Sequence, residues 1–169
     1  MHTVTNAFHD ACAAPGRDIT SKITFNGTTE LPASEIQEIV VTEQFGSSDG
    51  VTIGAAFSSS CKVTFYKQDN LPLNGAFFIP SVGIMVGGEA QYVQKGKYYI
   101  PTDGVEESGK LWVTITGYDR MASLTDDYVP TIDFPATPVQ ILTDVCTQGN
   151  VTAPSVALPD IQIAAPYTG

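Results

Sequence analysis

The stretch Leu111-Trp112-Val113-Thr114-Ile115-Thr116-Gly117-Tyr118 decides the fold class of this chain. Leu111, Val113 and Ile115 alternate with polar or aromatic side chains, and this period of two places them on one face of a β-strand. Valine, isoleucine and threonine, which fill most of the stretch, pack well on a pleated sheet. The sequence therefore predicts a half-buried strand whose apolar face covers a core.

Similar stretches on both sides of this one predict a mainly β fold. Strands are expected at Ile19–Phe25, Ile36–Phe45, Val51–Gly54, Cys61–Lys67, Phe77–Ile79 and Val82–Val86. A hairpin is expected to pair Gln91–Gln94 with Tyr98–Pro101, and Pro80 is expected to interrupt the strand before it. Turn signals such as Asn26-Gly27 recur about every 8–12 residues, so we predict a β-barrel or β-sandwich of about eight strands.

Short helices are predicted at the N-terminus and near residues 137–148. The first covers residues 4–14 and has Thr3 or Thr5 as its N-cap. The second begins at Thr137, which precedes a proline at the first helical position, and ends at the glycine that follows. Its inward face is predicted to hold Val139, Leu142, Val145 and Cys146.

The two kinds of pattern divide the chain. We predict a β-barrel domain with its N-terminal helix over residues 1–135. We predict a helix with an extended tail over residues 136–169, as the start of an inserted or following subdomain. The tail holds several prolines and strand-like fragments, such as Ile161-Gln162-Ile163, but no completed unit.

The composition excludes several classes of protein. Apolar residues make up 43% of the 169 residues and charged residues 15%, which is unlike a disordered chain. The 8 basic and 18 acidic residues give a net charge of -10, so the chain is not expected to grip nucleic acid or anionic lipid. No apolar run approaches the roughly 20 residues of a membrane span, so no membrane contact is expected.

The residue types that carry chemistry are scarce or scattered. The histidines, His2 and His9, lie at the N-terminus, and a contact between His9 and Cys12 lacks a third group to orient it. The three cysteines are widely spaced, so they predict neither a zinc site nor a disulfide framework. We predict that each of the three is a buried, reduced thiol.

The neighbouring carboxylates do not predict a catalytic or metal site either. Glu106 and Glu107 are neighbours on a predicted strand and point to opposite faces. Asp126, Asp127 and Asp133 would hold a cation only if their loop folded back, and the spacing of a calcium loop is absent. The sequence therefore predicts no catalytic residue, no metal site and no cofactor, and we expect no enzyme activity.

A longer pattern resembles a known family. Gly117-Tyr118-Asp119-Arg120-Met121 is followed by Tyr128-x-Pro130, by Phe134-Pro135-Ala136-Thr137 and by Asp144-Val145-Cys146-Thr147-Gln148-Gly149. This order is similar to tail proteins of long-tailed phages and prophages of Firmicutes. Phe8–Arg17, Phe45–Ala56 and Tyr92–Ile100 resemble further parts of that family. The family usually has an alanine or similar residue where this chain has Gly117, a difference that we expect to change little.

The resemblance implies a function in assembly. Such proteins form the N-terminal part of the baseplate hub, a trimeric ring of tube-like β-barrels at the tip of the tail. The implied partners are copies of the chain itself, the distal tail protein, the tape-measure protein and DNA in transit through the lumen. The implied location is the virion tail, assembled in the host cytoplasm.

Three consequences stay open at this stage. Ile36–Phe45 is apolar on both faces, so it is either an inter-subunit strand or an ordinary central strand. A carbohydrate-binding β-sandwich with Tyr92, Tyr98, Tyr99 and Trp112 as its platform is an alternative function, and a non-catalytic leading fragment of a tail lysin is another. If DNA does pass through a ring of this protein, acidic side chains should outnumber basic ones on the channel face.

Overall fold

The structure, a computed structural model, describes residues 4–43, 58–124, 128–155 and 157–164. The chain divides into two compact units. Residues 4–43 and 59–119 belong to the first, while residues 120–124, 128–155 and 157–164 belong to the second. The boundary that the sequence places at residue 135 falls inside the second unit, and the strand predicted at Val51–Gly54 lies outside the described residues.

Nine strands, one α-helix and a short 3-10 helix form the described part of the first unit. Helix α1 spans Asn6–Ala13 and the 3-10 helix spans Ala33–Glu35. The strands are β1 (Ile19–Phe25), β2 (Thr29–Pro32), β3 (Ile36–Thr42), β4 (Ser60–Tyr66), β5 (Phe77–Val86), β6 (Glu89–Gln94), β7 (Tyr98–Tyr99), β8 (Val105–Ser108) and β9 (Trp112–Tyr118). The prediction of a mainly β fold with short helices is confirmed.

All nine strands belong to one antiparallel sheet. Its order is β2-β1-β5-β7-β9-β4-β3, with β6 on the edge of β5 and β8 on the edge of β9. The strand that opened the sequence analysis, β9, lies inside this sheet and pairs with β4, β7 and β8. Val113 and Ile115 are buried as predicted, but Leu111 precedes the strand and is 61% exposed.

The first hairpin follows directly from its turn residues. Asn26 and Gly27 join β1 to β2 with φ angles of 49° and 77°. Two successive positive φ angles define the type I′ turn, whose twist matches that of the flanking strands, and Asn-Gly is its preferred sequence. The predicted turn at Asn26-Gly27 is therefore confirmed, although β2 itself is too short and polar to be recognised in the sequence.

Pro80 does not interrupt β5, contrary to the sequence prediction. The strand runs unbroken from Phe77 to Val86, and Pro80 pairs with Ile23 of β1. Its carbonyl accepts a hydrogen bond from the Lys95 amide at 2.8 Å. The backbone nitrogen and carbonyl of a strand residue point to the same side, so the nitrogen of Pro80 also faces the segment between β6 and β7. At that junction the sheet does not require a backbone N–H donor from β5, and a proline is tolerated.

The predicted hairpin between Gln91–Gln94 and Tyr98–Pro101 is wrong. Strand β6 turns back at Gly87-Gly88 and pairs along Ser81–Val86 of β5. Strand β7 pairs with Phe77 and Phe78 of the same strand. The two short strands therefore occupy successive parts of one edge of β5, because a ten-residue strand offers enough length for both.

The inward faces of the strands build a single apolar core. Its fully buried side chains include Ile23, Phe25, Leu31, Cys61, Val63, Phe65, Phe78, Tyr98 and Ile115. The rings of Phe25 and Phe78 lie 6.2 Å apart between centroids, and those of Phe78 and Tyr98 lie 5.8 Å apart. These aromatic pairs join β1, β5 and β7 across the core.

The helices agree with their predicted starts. Thr5 caps α1 by accepting a hydrogen bond from the Phe8 amide. In the second unit, helix α2 spans Pro138–Gln148, and Thr137 and Gln140 form a capping box around its proline start. The predicted inward face of α2 is only partly correct, because Val139 is 47% exposed while Asp144 is buried.

The expectation that Gly117 changes little is wrong for this chain. A β-carbon at Gly117 would lie 2.5 Å from Cε1 of Phe78 and 3.0 Å from Cβ of Tyr98. Both neighbours are buried, so neither can move aside without opening the core. The ring of Phe78 occupies the volume that an alanine at residue 117 would need.

We therefore predict that Gly117→Ala destabilises the protein by about 1–3 kcal/mol, the usual cost of overpacking a core. Gly16→Ala is the matched control, since a β-carbon at Gly16 meets no atom within 4 Å. Urea unfolding followed by the fluorescence of the single tryptophan measures both variants. Equal stability of the Gly117→Ala variant and the wild type would contradict this packing argument.

Candidate functional site

His9 and Cys12, which the sequence places about one helical turn apart, both lie on α1. His9 is exposed on α1, and its ring makes an edge contact with Phe8 at 6.4 Å between centroids. Cys12 is half-buried on the same helix. Within the described chain no group of three histidine, cysteine or acidic residues is placed to hold a metal ion.

The other two cysteines are buried in separate units. Cys61 lies in the core of the sheet, and burial raises the pKa of its thiol to about 12. A thiol with this pKa stays protonated at neutral pH, and only the thiolate is a good nucleophile. Cys146 is buried on α2. Both behave as small apolar side chains.

The paired carboxylates take separate surroundings, as predicted from their adjacency. Glu107 of β8 forms an ion pair with Lys67 at 2.7 Å, while Glu106 lies in a groove with Asp103 and Tyr118. Asp126 and Asp127 lie outside the described residues, and Asp133 is exposed. A cation site made of these three aspartates is therefore not described by the structure.

The second unit is organised around a carboxylate that the sequence reading overlooked. One oxygen of Asp144 accepts hydrogen bonds from the Tyr128 hydroxyl at 2.6 Å, the Thr131 amide at 3.0 Å and the Gln148 side chain at 3.1 Å. The other oxygen accepts a bond from the Thr131 hydroxyl. Gln148 also donates to the Val129 carbonyl at 2.9 Å. The extended segment 128–131 is thereby tied to α2.

These hydrogen bonds stabilise the charged form of the carboxyl group. The Thr131 hydroxyl, followed by the Tyr128 hydroxyl, lowers the pKa of Asp144 to about 2. Desolvation, followed by the hydrogen bond to Asp144, raises the pKa of Tyr128 to about 12. Four hydrogen bonds from three residues engage the two oxygens of Asp144, so this carboxylate has a structural role.

The phage-like motif therefore maps onto contacts that hold the second unit together. Tyr128 and Asp144 form its central hydrogen bond, and Thr137 starts α2. Leu124 packs against the α-carbon of Gly149, where any side chain would collide with it. Asn150, at φ 53°, takes the left-handed position after the helix that a glycine often occupies.

The four aromatic residues proposed as a carbohydrate platform do not all lie on the surface. Tyr98 is buried in the core, while its neighbour Tyr99 points to the opposite face. Tyr92 lies against Gly83 beneath Lys22, whose ammonium is 4.7 Å from the ring centroid. Trp112 stacks on Tyr66 at 4.1 Å between centroids. The proposed row of four sugar-stacking rings is therefore absent from these positions.

An open strand edge lies at the end of the sheet. Strand β3 is the last strand in the sheet order and pairs only with β4 among the residues described. Ile19–Ser21 of β1 extend past the end of β2, and no described strand pairs with them on that side. Residues from both strands line one groove of about 260 Å³. The apolar character of the groove comes from Ile19, Ala33, Ile36, Ile39 and Val82.

The outward face of the sheet beside this edge is polar. Glu38, Thr64, Thr114 and Glu106 are successive partners across β3, β4, β9 and β8. The two threonine hydroxyls share a hydrogen bond of 3.1 Å. Cross-strand partners lie on the same face, so this face presents a hydroxyl pair between two carboxylates.

Comparisons with known proteins leave the family undefined. Protein-family models do not match this sequence, and curated proteins do not match it either. No helix among the described residues is both long and apolar enough to cross a membrane. The described residues offer two notable features: a hydrogen-bonded carboxylate, Asp144, in the second unit and the open edge of β3 in the first.

We predict that acid destabilises the second unit through Asp144. Because its pKa is lowered from 3.8 to about 2, the carboxylate contributes stability above pH 3.8 that is lost as the pH falls towards 2. Protection of the α2 amides against hydrogen exchange should decrease across this window. In Asp144→Asn the protection should be weaker at neutral pH and should change less with acid.

Asp133→Asn is the matched control, because Asp133 is an exposed aspartate in the same unit. Its α2 protection should follow the wild-type pH profile. If Asp144→Asn and Asp133→Asn gave the same profile, the hydrogen bonds to Asp144 would not stabilise the unit.

Proposed function

We propose that this protein is a structural component of a phage or prophage tail, the hub domain that assembles into a ring at the tip of the tail tube. The observation that carries the proposal is the open edge of β3 beside the unpartnered start of β1. Long open edges promote pairing between chains, so a protein that keeps one gains a route to assembly. A mainly β fold and the ordered phage-like motifs support the same function.

The edge has the features that an inter-subunit strand requires. Val40 is 41% exposed on the outward face, while Ile39 and Val41 are half-buried against the core. A bulge between Ile36 and Glu38 ends the regular pairing at one side. Five residues, Glu38–Thr42, therefore remain as a regular backbone edge to which a strand of a neighbouring subunit can be added.

The charge of the chain suits a ring through which DNA passes. A lumen with few cations neither binds phosphate nor slows its transit. Acidic residues exceed basic residues by 18 to 8 in the sequence, and two of the lysines, Lys22 and Lys67, are held in ion pairs. We therefore retain the expectation that the channel face carries an excess of carboxylates, with the distal tail and tape-measure proteins as neighbours of the ring.

Immuno-electron microscopy tests the proposal. Antibodies against the chain are applied to particles released by prophage induction of the strain that carries the gene. Gold label at the tail tip, at the end opposite to the capsid, is the expected result. Label confined to fibres, to capsids or to cell debris would overturn the proposal.

A substitution at the edge gives a second test. Val40→Lys places a charge beside the exposed backbone, a common way in which natural sheets prevent pairing. We expect the same induced strain with this variant to release fewer tailed particles. Val40 is exposed, but its cross-strand partner is Lys62, so urea unfolding of the variant checks that two facing lysines leave the fold intact.

Leu111→Lys is the matched control, since Leu111 is an exposed apolar residue in the turn before β9. The control should release tailed particles at the wild-type level. Equal yields from Val40→Lys and the wild type would exclude the β3 edge from assembly.

A further inference from the structure

A strip of aromatic side chains crosses the outward face of three neighbouring strands in the first unit. Phe77 of β5 is the cross-strand partner of Tyr99 of β7, which is the partner of Tyr118 of β9. The rings of Phe77 and Tyr99 lie 6.0 Å apart between centroids, and Tyr118 is 41% exposed. We call these three residues the aromatic strip.

The two ends of the aromatic strip carry opposite charges. At one end the Lys97 ammonium lies 3.7 Å from the ring centroid of Phe77 and 5.4 Å from that of Tyr99. Lys97 and Lys95 line a groove of about 520 Å³ there, together with one acidic residue, Glu43. At the other end Asp103 and Glu106 line a groove of about 340 Å³ together with Tyr118.

The lysines and carboxylates at these ends are exposed and make no ion pair within the part of the chain that the structure describes. Two other lysines, Lys22 and Lys67, do form such pairs. The cation–π contacts hold Lys97 in place, which reduces the side-chain entropy that a partner would otherwise have to remove.

We propose that the aromatic strip is a docking surface for a second copy of this chain. Lys95 and Lys97 of one copy pair with Asp103 and Glu106 of another, and the exposed ring of Tyr118 is covered between them. Charge complementarity selects this occupant, because one chain supplies both the cationic and the anionic end. A net charge of -10 does not prevent the contact, since at physiological salt charges beyond about 8 Å are screened.

A sugar is a weaker match for the same surface. Carbohydrates stack on open aromatic faces, but the Lys97 ammonium already occupies the space over Phe77 and Tyr99. The contact between copies goes beyond the tail-hub proposal and does not rest on it. None of the residues substituted in its test belongs to β3, so the two surfaces are tested by separate substitutions.

Two charge-reversal variants test the docking surface. The first is Lys95→Glu with Lys97→Glu, and the second is Asp103→Lys with Glu106→Lys. In each variant the two ends of the strip carry the same sign and repel those of another copy. We expect self-association, measured by sedimentation velocity at about 100 µM, to weaken at least tenfold in either variant.

Mixing the two variants provides the decisive measurement. One variant then supplies only carboxylates and the other only lysines, so a mixed complex should form with an affinity close to that of the wild type. High salt should weaken both the wild-type and the mixed complex, because ion pairs hold them together. Circular dichroism of each variant checks that the fold is retained.

The controls change the net charge equally at exposed positions away from the strip. Arg17→Glu with Lys110→Glu matches the first variant, and Asp69→Lys with Glu89→Lys matches the second. Both controls should associate like the wild type. A monomeric wild type, equal weakening in the controls, or no complex in the mixture would each overturn the proposal.

A glycan array on the wild type is the final arm of the test. Binding that is lost on Tyr118→Ala, in a chain that stays monomeric, would identify the strip as a carbohydrate site and overturn the docking surface. Absence of the phage-tail label described above would leave this result unaffected, so the failure of one proposal is distinguishable from the failure of the other.

Discussion

The contact of the Phe78 ring with the bare α-carbon of Gly117 is the constraint on which the sheet depends. The ring fills the place of a side chain at residue 117 and lies beside Phe25 and Tyr98. Strands β1, β5, β7 and β9 therefore meet at one point of the core. Burial of these aromatic rings supplies a large share of the apolar area that stabilises a small β domain.

Local features of the fold could be predicted from the sequence, whereas the pairing of strands that are distant in the sequence could not. Alternation identified β9, and the turn and capping residues identified the first hairpin and the start of α2. The hairpin between β6 and β7 was wrong because pairing depends on which distant strand offers an edge, and β5 offers its own to both. Pro80 was misread for the same reason, since its cost depends on the neighbour that its nitrogen faces.

The candidate site was predictable only in part. The absence of a catalytic pattern follows from residue types, but the importance of Asp144 does not, because its partners Tyr128 and Thr131 lie on a separate segment. The structural role of a buried carboxylate on a helix can be assigned only when its hydrogen-bond donors are known. Likewise, the aromatic residues could be listed from the sequence, but their distribution between core and surface required the strand register.

The reactivity of the two buried cysteines reports transient unfolding of the units that contain them. Cys61 lies in the core of the first unit and Cys146 in the second, and each thiol is shielded from reagents while its unit stays closed. Alkylation of each thiol then proceeds only through transient unfolding around it. Cys61 and Cys146 thus provide one buried probe in each unit, and their alkylation rates, measured separately from that of the half-buried Cys12, compare the opening free energies of the two units.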